Sequence, residues 1–335
     1  MFKAIWLDQA DAKTRASVRQ LSEADLPAGD TTVRIEYSTL NYKDALAITG
    51  RSPVVRKFPM VPGIDCAGTV EATSFPGLQV GDKVVLTGWG HGELHWGGLA
   101  EKARVSGERL LKLPAGMSAR QAMAVGTAGL TAMLAVLAIE RHGSRPENGD
   151  VLVTGAGGGV GGFAVAFMSR SGWRVQASSG RPMETERIKR LGASEVLPRS
   201  ELGSQGKSLQ KERWAAVVDS LGSHTLANAC AGTRYGGIVA ACGLAQGMDF
   251  PSSVAPFILR GVHLAGIDSV YASNELRAAA WARIAAQLGG PMLDDLVQEI
   301  SLEGAVPSSA ELIGGGIKGR LVVAMAGSEM QARDN

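Results

Sequence analysis

Hydrophobic and polar positions change their rhythm near residue 150. Before it, short apolar runs predict strands at residues 3–7 and 31–40, and Thr32-Val33-Arg34-Ile35-Glu36-Tyr37 alternates with period two, as a half-exposed strand does. Ile64 to Glu71 reads as a strand with Ala67 and Gly68 for close packing, and Val80 to Leu86 as a turn feeding another strand. Between them Phe58-Pro59-Met60-Val61-Pro62-Gly63 is a rigid connection, because each proline fixes φ and removes a ladder donor. Short strands at this spacing predict a mainly-β first domain. Ser118 to Glu140 is the best helical stretch, and its Gly126, Ala128 and Gly129 admit close approach of a second backbone or a cofactor. After residue 150 strands are expected near 151–155, 173–179, 194–198, 214–219, 236–242 and 262–268, with helical connections between most of them. That alternation predicts a doubly wound α/β domain: six parallel strands with helices on both faces.

The first of these strands, Val151-Leu152-Val153-Thr154, runs into Gly155-Ala156-Gly157-Gly158-Gly159-Val160-Gly161 and then an apolar, small-residue helix start. A turn of this kind points backbone N–H groups and a helix N-terminus at one spot, which suits a pyrophosphate. Two glycine registers fit, Ala156/Gly158/Gly161 and Gly157/Gly159/Gly162; a strand ending near Thr154 favours the first. The second strand ends in Ser179-Gly180-Arg181, with no Asp or Glu at its tip to take a ribose 2′-hydroxyl. A hydroxyl and a guanidinium there match a 2′-phosphate, so the expected cofactor is NADPH.

Composition narrows the alternatives. Apolar residues make up 45% of 335, enough to fill ordinary soluble cores, and a net charge of +2 gives no sign of a nucleic-acid or membrane partner. Arg56-Lys57 and Arg187-Ile188-Lys189-Arg190 are the only small basic clusters and read as solvated surface. No 18-residue apolar span and no signal-peptide core are expected, and Cys66, Cys230 and Cys242 have neither disulfide nor metal spacing, so a reducing cytoplasm is the simplest compartment. His91 and His95 flank Glu93, but ligands four apart share a face only on a helix, and the surrounding glycines oppose one. A loop pinned by Trp89 and Trp96 over a pocket is the reading there, with no metal. Ser38 to Leu46 holds a polar centre among apolar neighbours: Asn41, Tyr42 and Asp44 are either a pocket or a helix start capped by Asn41, with Asp44 at its third position.

Pro59-Met60-Val61-Pro62-Gly63-Ile64-Asp65-Cys66-Ala67-Gly68-Thr69-Val70, Val80-Gly81-Asp82-Lys83-Val84, Gly126 to Ala132 and the glycine turn, in that order, resemble the medium-chain dehydrogenase/reductase superfamily. Within it, Leu40 to Gly50, Leu86 to Gly90, His95 to Glu101 and Ala241-Cys242-Gly243-Leu244-Ala245 resemble the zinc-free quinone-oxidoreductase-like branch, and more narrowly the NADPH-dependent acrylyl-CoA reductases. The zinc alcohol dehydrogenases of the superfamily carry a ligand Cys near Asn41 and a Gly-His-Glu where this chain has Gly63-Ile64-Asp65.

The resemblance implies a Rossmann cofactor domain inserted in a mainly-β GroES-like catalytic domain. Residues 1–122 would form the first part of the catalytic domain, 123–269 the NADPH domain, and 270–335 a helix and the return, with Gly316 to Val323 as a strand beside the first domain. It implies reduction of acrylyl-CoA to propanoyl-CoA, with hydride to the β-carbon and a proton to the α-carbon. Donors near the thioester oxygen would stabilise the developing enolate. Asn41 and Tyr42 are the expected catalytic residues; Tyr42 or solvent supplies the proton, and Asp44 orients its neighbours. Expected cofactor contacts are Tyr42, Thr127, Gly157, Gly158, Gly159, Val160, Ser179, Gly180, Arg181, Arg199, Leu244, Ile258 and Ser269. Arg51, Arg56 and Lys57 are candidates for the CoA phosphates. Relatives commonly dimerise along an edge strand, here Val262 to Gly266, so a homodimer is expected. The competing expectations are an NADPH-dependent quinone or enone reductase, and an NADPH-binding regulatory protein without turnover.

Overall fold

The computed structural model describes residues 1–11, 13–289, 293 and 296–326. The chain forms two compact units. One holds the chain up to Thr127, then Val270–Trp281 and the chain from Leu296 on; the other holds Ala128–Ser269 and a stretch that begins at Ala282. In chain order the first unit contributes β1 (Phe2–Ala10), β2 (Lys13–Leu21), β3 (Thr31–Leu40), α1 (Tyr42–Thr49), β4 (Asp65–Thr73), β5 (Lys83–Thr87), β6 (Lys102–Val105) and β7 (Leu111–Lys112). Helix α2 (Ala119–His142) follows. Then come β8 (Asp150–Val153), α3 (Gly159–Arg170), β9 (Val175–Ser179), α4 (Thr185–Arg190), β10 (Ala193–Pro198), β11 (Trp214–Asp219), α5 (Ser223–Gly232), β12 (Thr233–Ala241), α6 (Ala255–Arg260) and β13 (His263–Gly266). The last elements are α7 (Asn274–Gln287), β14 (Val297–Ser301), α8 (Leu302–Ile313) and β15 (Arg320–Ala324).

In the first unit β1 and β2 form a hairpin, and a seven-stranded sheet runs β14-β15-β3-β4-β5-β7 with β6 also on β3. The returning strand β15 lies antiparallel to β3, placing Leu321 opposite Leu40. The period-two reading of β3 holds for its first half, where Arg34 is exposed and Glu36 half-buried between buried Val33, Ile35 and Tyr37. From Tyr37 to Leu40 every residue is buried. There the polar Ser38 and Thr39 are satisfied by backbone carbonyls of Asp65 and Leu321, as buried hydroxyls must be.

The second unit is a six-stranded sheet in the order β10-β9-β8-β11-β12-β13, and every pairing is parallel. The order reverses at β8, whose carboxyl end carries the glycine turn; ligands bind at such a switch point in open α/β sheets. Val151, Leu152 and Val153 are fully buried, so each contributes about 1.5–3 kcal/mol of burial to the sheet. A Cβ on Gly161 would stand 2.2 Å from the Gly155 carbonyl oxygen. Helix α3 therefore packs against the end of β8 only with glycine there, which is the role of the last glycine in the Ala156/Gly158/Gly161 register.

Helix α2 departs from its sequence reading. It contains an 18-residue stretch apolar enough to cross a membrane, contrary to the expectation of none, and most of that stretch is buried inside the protein. It is also broken at Gly126, whose φ of 50° and ψ of −157° are not helical.

Gly161→Ala should lower the free energy of unfolding by about 3 kcal/mol through this overlap, read as a shifted denaturant midpoint; an unchanged midpoint would contradict the packing.

Candidate functional site

In the second unit the glycine turn is held by the strand ends around it. Thr154 Oγ1 donates to Asp219 Oδ1 at 2.6 Å and accepts from Ser220 N, while Asp219 Oδ2 accepts from Leu221 N and Gly222 N. Burial raises the Asp219 carboxyl above its ordinary range, and those donors oppose the rise. Gly155 adopts a positive φ of 63°, and Gly158 caps α3. The Gly158 N–H closes the turn on the Gly155 carbonyl at 2.9 Å, and the N–H groups of Gly159 and Val160 open the helix, as a phosphate cradle requires.

The expected cofactor residues Gly157, Ser179, Gly180, Arg181 and Arg199 come together at the tip of β9. Ser179 Oγ accepts from Arg181 N at 3.1 Å. The Arg199 side chain lies 3.2 Å from where a Cβ of Gly180 would be. Two residues not expected at the cofactor join them, Glu184 and Arg187. Buried Glu184 takes Arg181 on one oxygen, at 3.1 Å, and Arg187 on the other. Arg187 also donates to the Gly157 carbonyl at 3.1 Å. The Arg187 cluster is therefore not simply solvated surface: its guanidinium is half-buried, and its Nε and Nη1 have no hydrogen-bond partner among the described residues. Two arginines on one buried carboxylate, a third beside Gly180, and buried guanidinium donors left over fit a bound 2′-phosphate.

Of the remaining expected contacts, Leu244 is exposed and its Cα lies 3.3 Å from a Cβ built on Gly222, in the loop after β11. Ile258 is exposed on α6. The Ser269 hydroxyl accepts from Thr131 Oγ1 at 2.8 Å.

In the first unit Asn41, Asp44, Asp65, Thr127 and Arg320 form one buried cluster. Asn41 caps α1, and Asp44 accepts from the Asn41 N–H at 2.9 Å and from Ile64 N at 2.9 Å. Half of the capping reading is thus present. The Asn41 amide points elsewhere: Nδ2 donates to Asp44 at 3.1 Å and Asp65 at 2.9 Å, and Oδ1 accepts from Arg320 at 2.8 Å. Both amide hydrogens are committed inside the protein, so Asn41 offers none to a ligand. The expected catalytic role for Asn41 is corrected to a positioning one. Tyr42, next in the chain, is 56% exposed at the first turn of α1.

Asp65 also accepts from Thr127 N at 2.8 Å and from the Thr127 hydroxyl. The break at Gly126 frees that N–H. A Cβ on Gly126 would stand 2.7 Å from both Arg320 Nη2 and Asp65 Oδ2, so the glycine makes room for these two charged side chains rather than another helix. Burial raises the carboxyls of Asp44, to about 7, and of Asp65, and lowers the Arg320 guanidinium. Two carboxylates facing one guanidinium leave the cluster one negative charge in excess, which a bound proton relieves.

His91 Nδ1 donates to the Trp96 carbonyl at 2.8 Å, and burial pushes this imidazole down to about 4. Trp89 packs edge-on to Tyr271 and under the Arg277 guanidinium, and Trp96 edge-on to Trp6. Among the described residues no group of three or more His, Cys, Asp or Glu is placed to hold a metal ion. Cys66, at the buried end of β4, is pushed up to about 12 by burial and the adjacent Asp65, which removes it as a nucleophile.

Asp44 makes a pH prediction. The folded state holds its proton more tightly than the unfolded chain, where the carboxyl titrates near 3.8. Its contribution is full below that value and is lost as the pH rises through about 7. Asp44→Asn should therefore shrink the loss of stability between about pH 5 and about pH 8. Denaturation curves at both values test this, and an undiminished loss contradicts it.

Residues 27–115 match the family model of the alcohol dehydrogenase GroES-like domain, and residues 159–286 that of the zinc-binding dehydrogenase. The chain is 51% identical to the probable acrylyl-CoA reductase AcuI of Escherichia coli over 321 residues, 96% of this chain and 99% of that protein. It is 48% identical to the acrylyl-CoA reductase AcuI of Ruegeria pomeroyi, again over 96% and 99%. The crystal structure of the yhdH oxidoreductase from Salmonella enterica in complex with NADP superposes with a TM-score of 0.95 at 50% identity, over 96% of this chain and 99% of that one. With half of all residues shared along nearly its whole length, the chain belongs to the medium-chain dehydrogenase/reductase superfamily, in its quinone-oxidoreductase-like branch.

Proposed function

We propose that this protein is an NADPH-dependent oxidoreductase that reduces the activated C=C bond of acrylyl-CoA to propanoyl-CoA. The observation that carries the reading is the 48–51% identity, over 96% of the chain, to proteins named acrylyl-CoA reductase. The arginine group at the tip of β9 supports the choice of NADPH. The N–H groups of Gly157, Gly159 and Val160 would hold its pyrophosphate, while the Gly158 N–H closes the turn on the Gly155 carbonyl at 2.9 Å. Ser179, Gly180, Arg181, Arg187 and Arg199 would hold its 2′-phosphate, and Leu244, Ile258, Ser269, Thr127 and Tyr42 are proposed contacts along the rest.

NADPH supplies, when bound, the hydride that goes to the substrate β-carbon. The chain's own residues do the positioning. The Asp44–Asn41–Asp65 hydrogen bonds fix the start of α1, and so the backbone from which the Tyr42 phenol projects. That exposed phenol is within its ordinary chemistry as a hydrogen-bond donor to the thioester oxygen or a proton source for the α-carbon. Thr127 is held by both its N–H and its hydroxyl on Asp65, so the two candidate contacts share one anchor.

A cytoplasmic homodimer completes the reading. None of the three cysteines is paired. Strand β13 is the edge of its sheet, and its His263 and Leu264 are exposed. An uncovered apolar edge favours pairing with a second copy.

A steady-state assay of NADPH oxidation with acrylyl-CoA tests the activity; turnover of a quinone or free enone with none of acrylyl-CoA would assign the sister activity instead. Arg181→Glu and Arg187→Gln should each weaken NADPH by about tenfold or more, with NADH little changed. Retained preference for NADPH in both would defeat the cofactor assignment. Size-exclusion chromatography should give a dimer mass that falls to the monomer in Leu264→Lys; a monomeric parent protein removes the dimer.

A further inference from the structure

The first unit contains a second concave site apart from the buried Asn41 cluster. It is a cavity of about 400 Å³ between the loop before β3, the Lys57–Met60 segment, the loop holding His91 and Trp96, and the segment from Arg104 to Arg109. That volume lies within the range of small-molecule pockets and is far larger than one phosphate ion fills. Its walls mix two chemistries. Pro59, Met60, Leu94, Trp96 and Val105 are apolar or aromatic, while Lys57, Arg104 and Arg109 are cationic. The one carboxylate lining it among the described residues, Asp30, is already engaged by the Gly107 N–H at 2.6 Å and the Thr31 hydroxyl at 2.9 Å.

The cations are not so engaged. Among the described residues the side chains of Lys57 and Arg109 have no ion-pair or hydrogen-bond partner, and Arg104 reaches only Thr32 Oγ1 at 3.3 Å and the Leu26 carbonyl at 3.5 Å. Lys57 is exposed at the cavity mouth, whereas Arg104 and Arg109 are half-buried; other half-buried cations in this unit are paired, as Lys102 is with both Glu23 and Glu71. Burial first, and the Arg109 charge with it, holds both His91 and His95 below the ordinary histidine range. The imidazoles are therefore neutral near pH 7 and add no cation of their own. A ligand for this site carries more than one negative charge and a flat apolar body.

We propose that this cavity receives the 3′-phosphoadenosine diphosphate end of coenzyme A, with Lys57, Arg104 and Arg109 on its phosphates and Trp96 against the adenine. The proposal rests on the reading of the protein as an acyl-CoA reductase and deepens it. Of the three cations expected from the sequence to meet CoA, only Lys57 lines the cavity; Arg51 and Arg56 do not. The Trp96 loop is tied to the helix that begins at Tyr42, because Glu93 in that loop pairs with Lys43 at 2.9 Å. The nucleotide and the acyl end of one extended substrate would thus be held by one loop and the helix bound to it.

Three measurements test the proposal. Adenosine 3′,5′-bisphosphate, used as probe, should bind the whole protein saturably, read by calorimetry and by Trp96 fluorescence. Binding should weaken about tenfold in Arg109→Gln and in Lys57→Gln, as loss of one charge-assisted contact implies. In the same variants KM for acrylyl-CoA should rise about tenfold while kcat changes little, since the lost contact is equal in ground and transition states. KM for an acrylyl thioester of N-acetylcysteamine, which lacks the nucleotide, should not follow. No binding of the bisphosphate, binding that survives both substitutions, or an equal rise in KM for the truncated thioester would each overturn the site. If the bisphosphate binds and both variants lose it, yet acrylyl-CoA is not reduced, the nucleotide site stands and the activity reading falls.

Discussion

A carboxylate taken out of water must be given hydrogen bonds, a counter-charge or a proton. Asp65 takes the first two, burial raises its carboxyl and that of Asp44 toward the third, and much of the first unit is arranged to supply them. It draws its donors from the cap of α1, from a backbone N–H released by the break in α2, and from a threonine hydroxyl. The charge comes from Arg320 on the last strand, which also holds Asn41 and Thr39. Removing any one member strands a buried polar group, so the elements that meet here are locked to one another more firmly than their apolar contacts alone would lock them.

The second unit solves a different problem by subtraction. Gly161 lets a helix close on a strand end, Gly155 turns the chain, and the side chains at the tip of β9 crowd around the space that glycine leaves. Glu184 is the organising residue of that tip. It spaces two guanidiniums and leaves part of one of them without partners, which is the arrangement an incoming anion completes.

Elements whose cause is local were legible in the sequence. Period two predicts the outward Arg34 and Glu36 of β3, and strand–helix alternation with a glycine turn predicts the parallel six-stranded sheet. The misreadings had causes at a distance. Arg187 reads in the sequence as one of three solvated basic residues because nothing local announces that Glu184 is buried, or that the Gly157 carbonyl lies within reach. Asp65 shows in the sequence only as a missing metal ligand, since its partners Asn41, Thr127 and Arg320 come from three separate places in the chain. Asn41 was read as a free donor for the same reason: its carbonyl partner is 279 residues away. Gly126 was read as room for a helix or a ligand, when the room is filled by Asp65 and Arg320.

The separation between Asn41 and Arg320 also bears on how the protein is made. At a synthesis rate of about 5–20 residues per second, the ribosome needs roughly a quarter of a minute to a minute to travel from one to the other. By the end of that interval every strand of the six-stranded sheet has been translated, while both aspartates still lack the guanidinium that balances them. The nascent protein can complete its nucleotide-binding half first, and the half bearing Tyr42 gains its final charge balance only as the last strand leaves the exit tunnel.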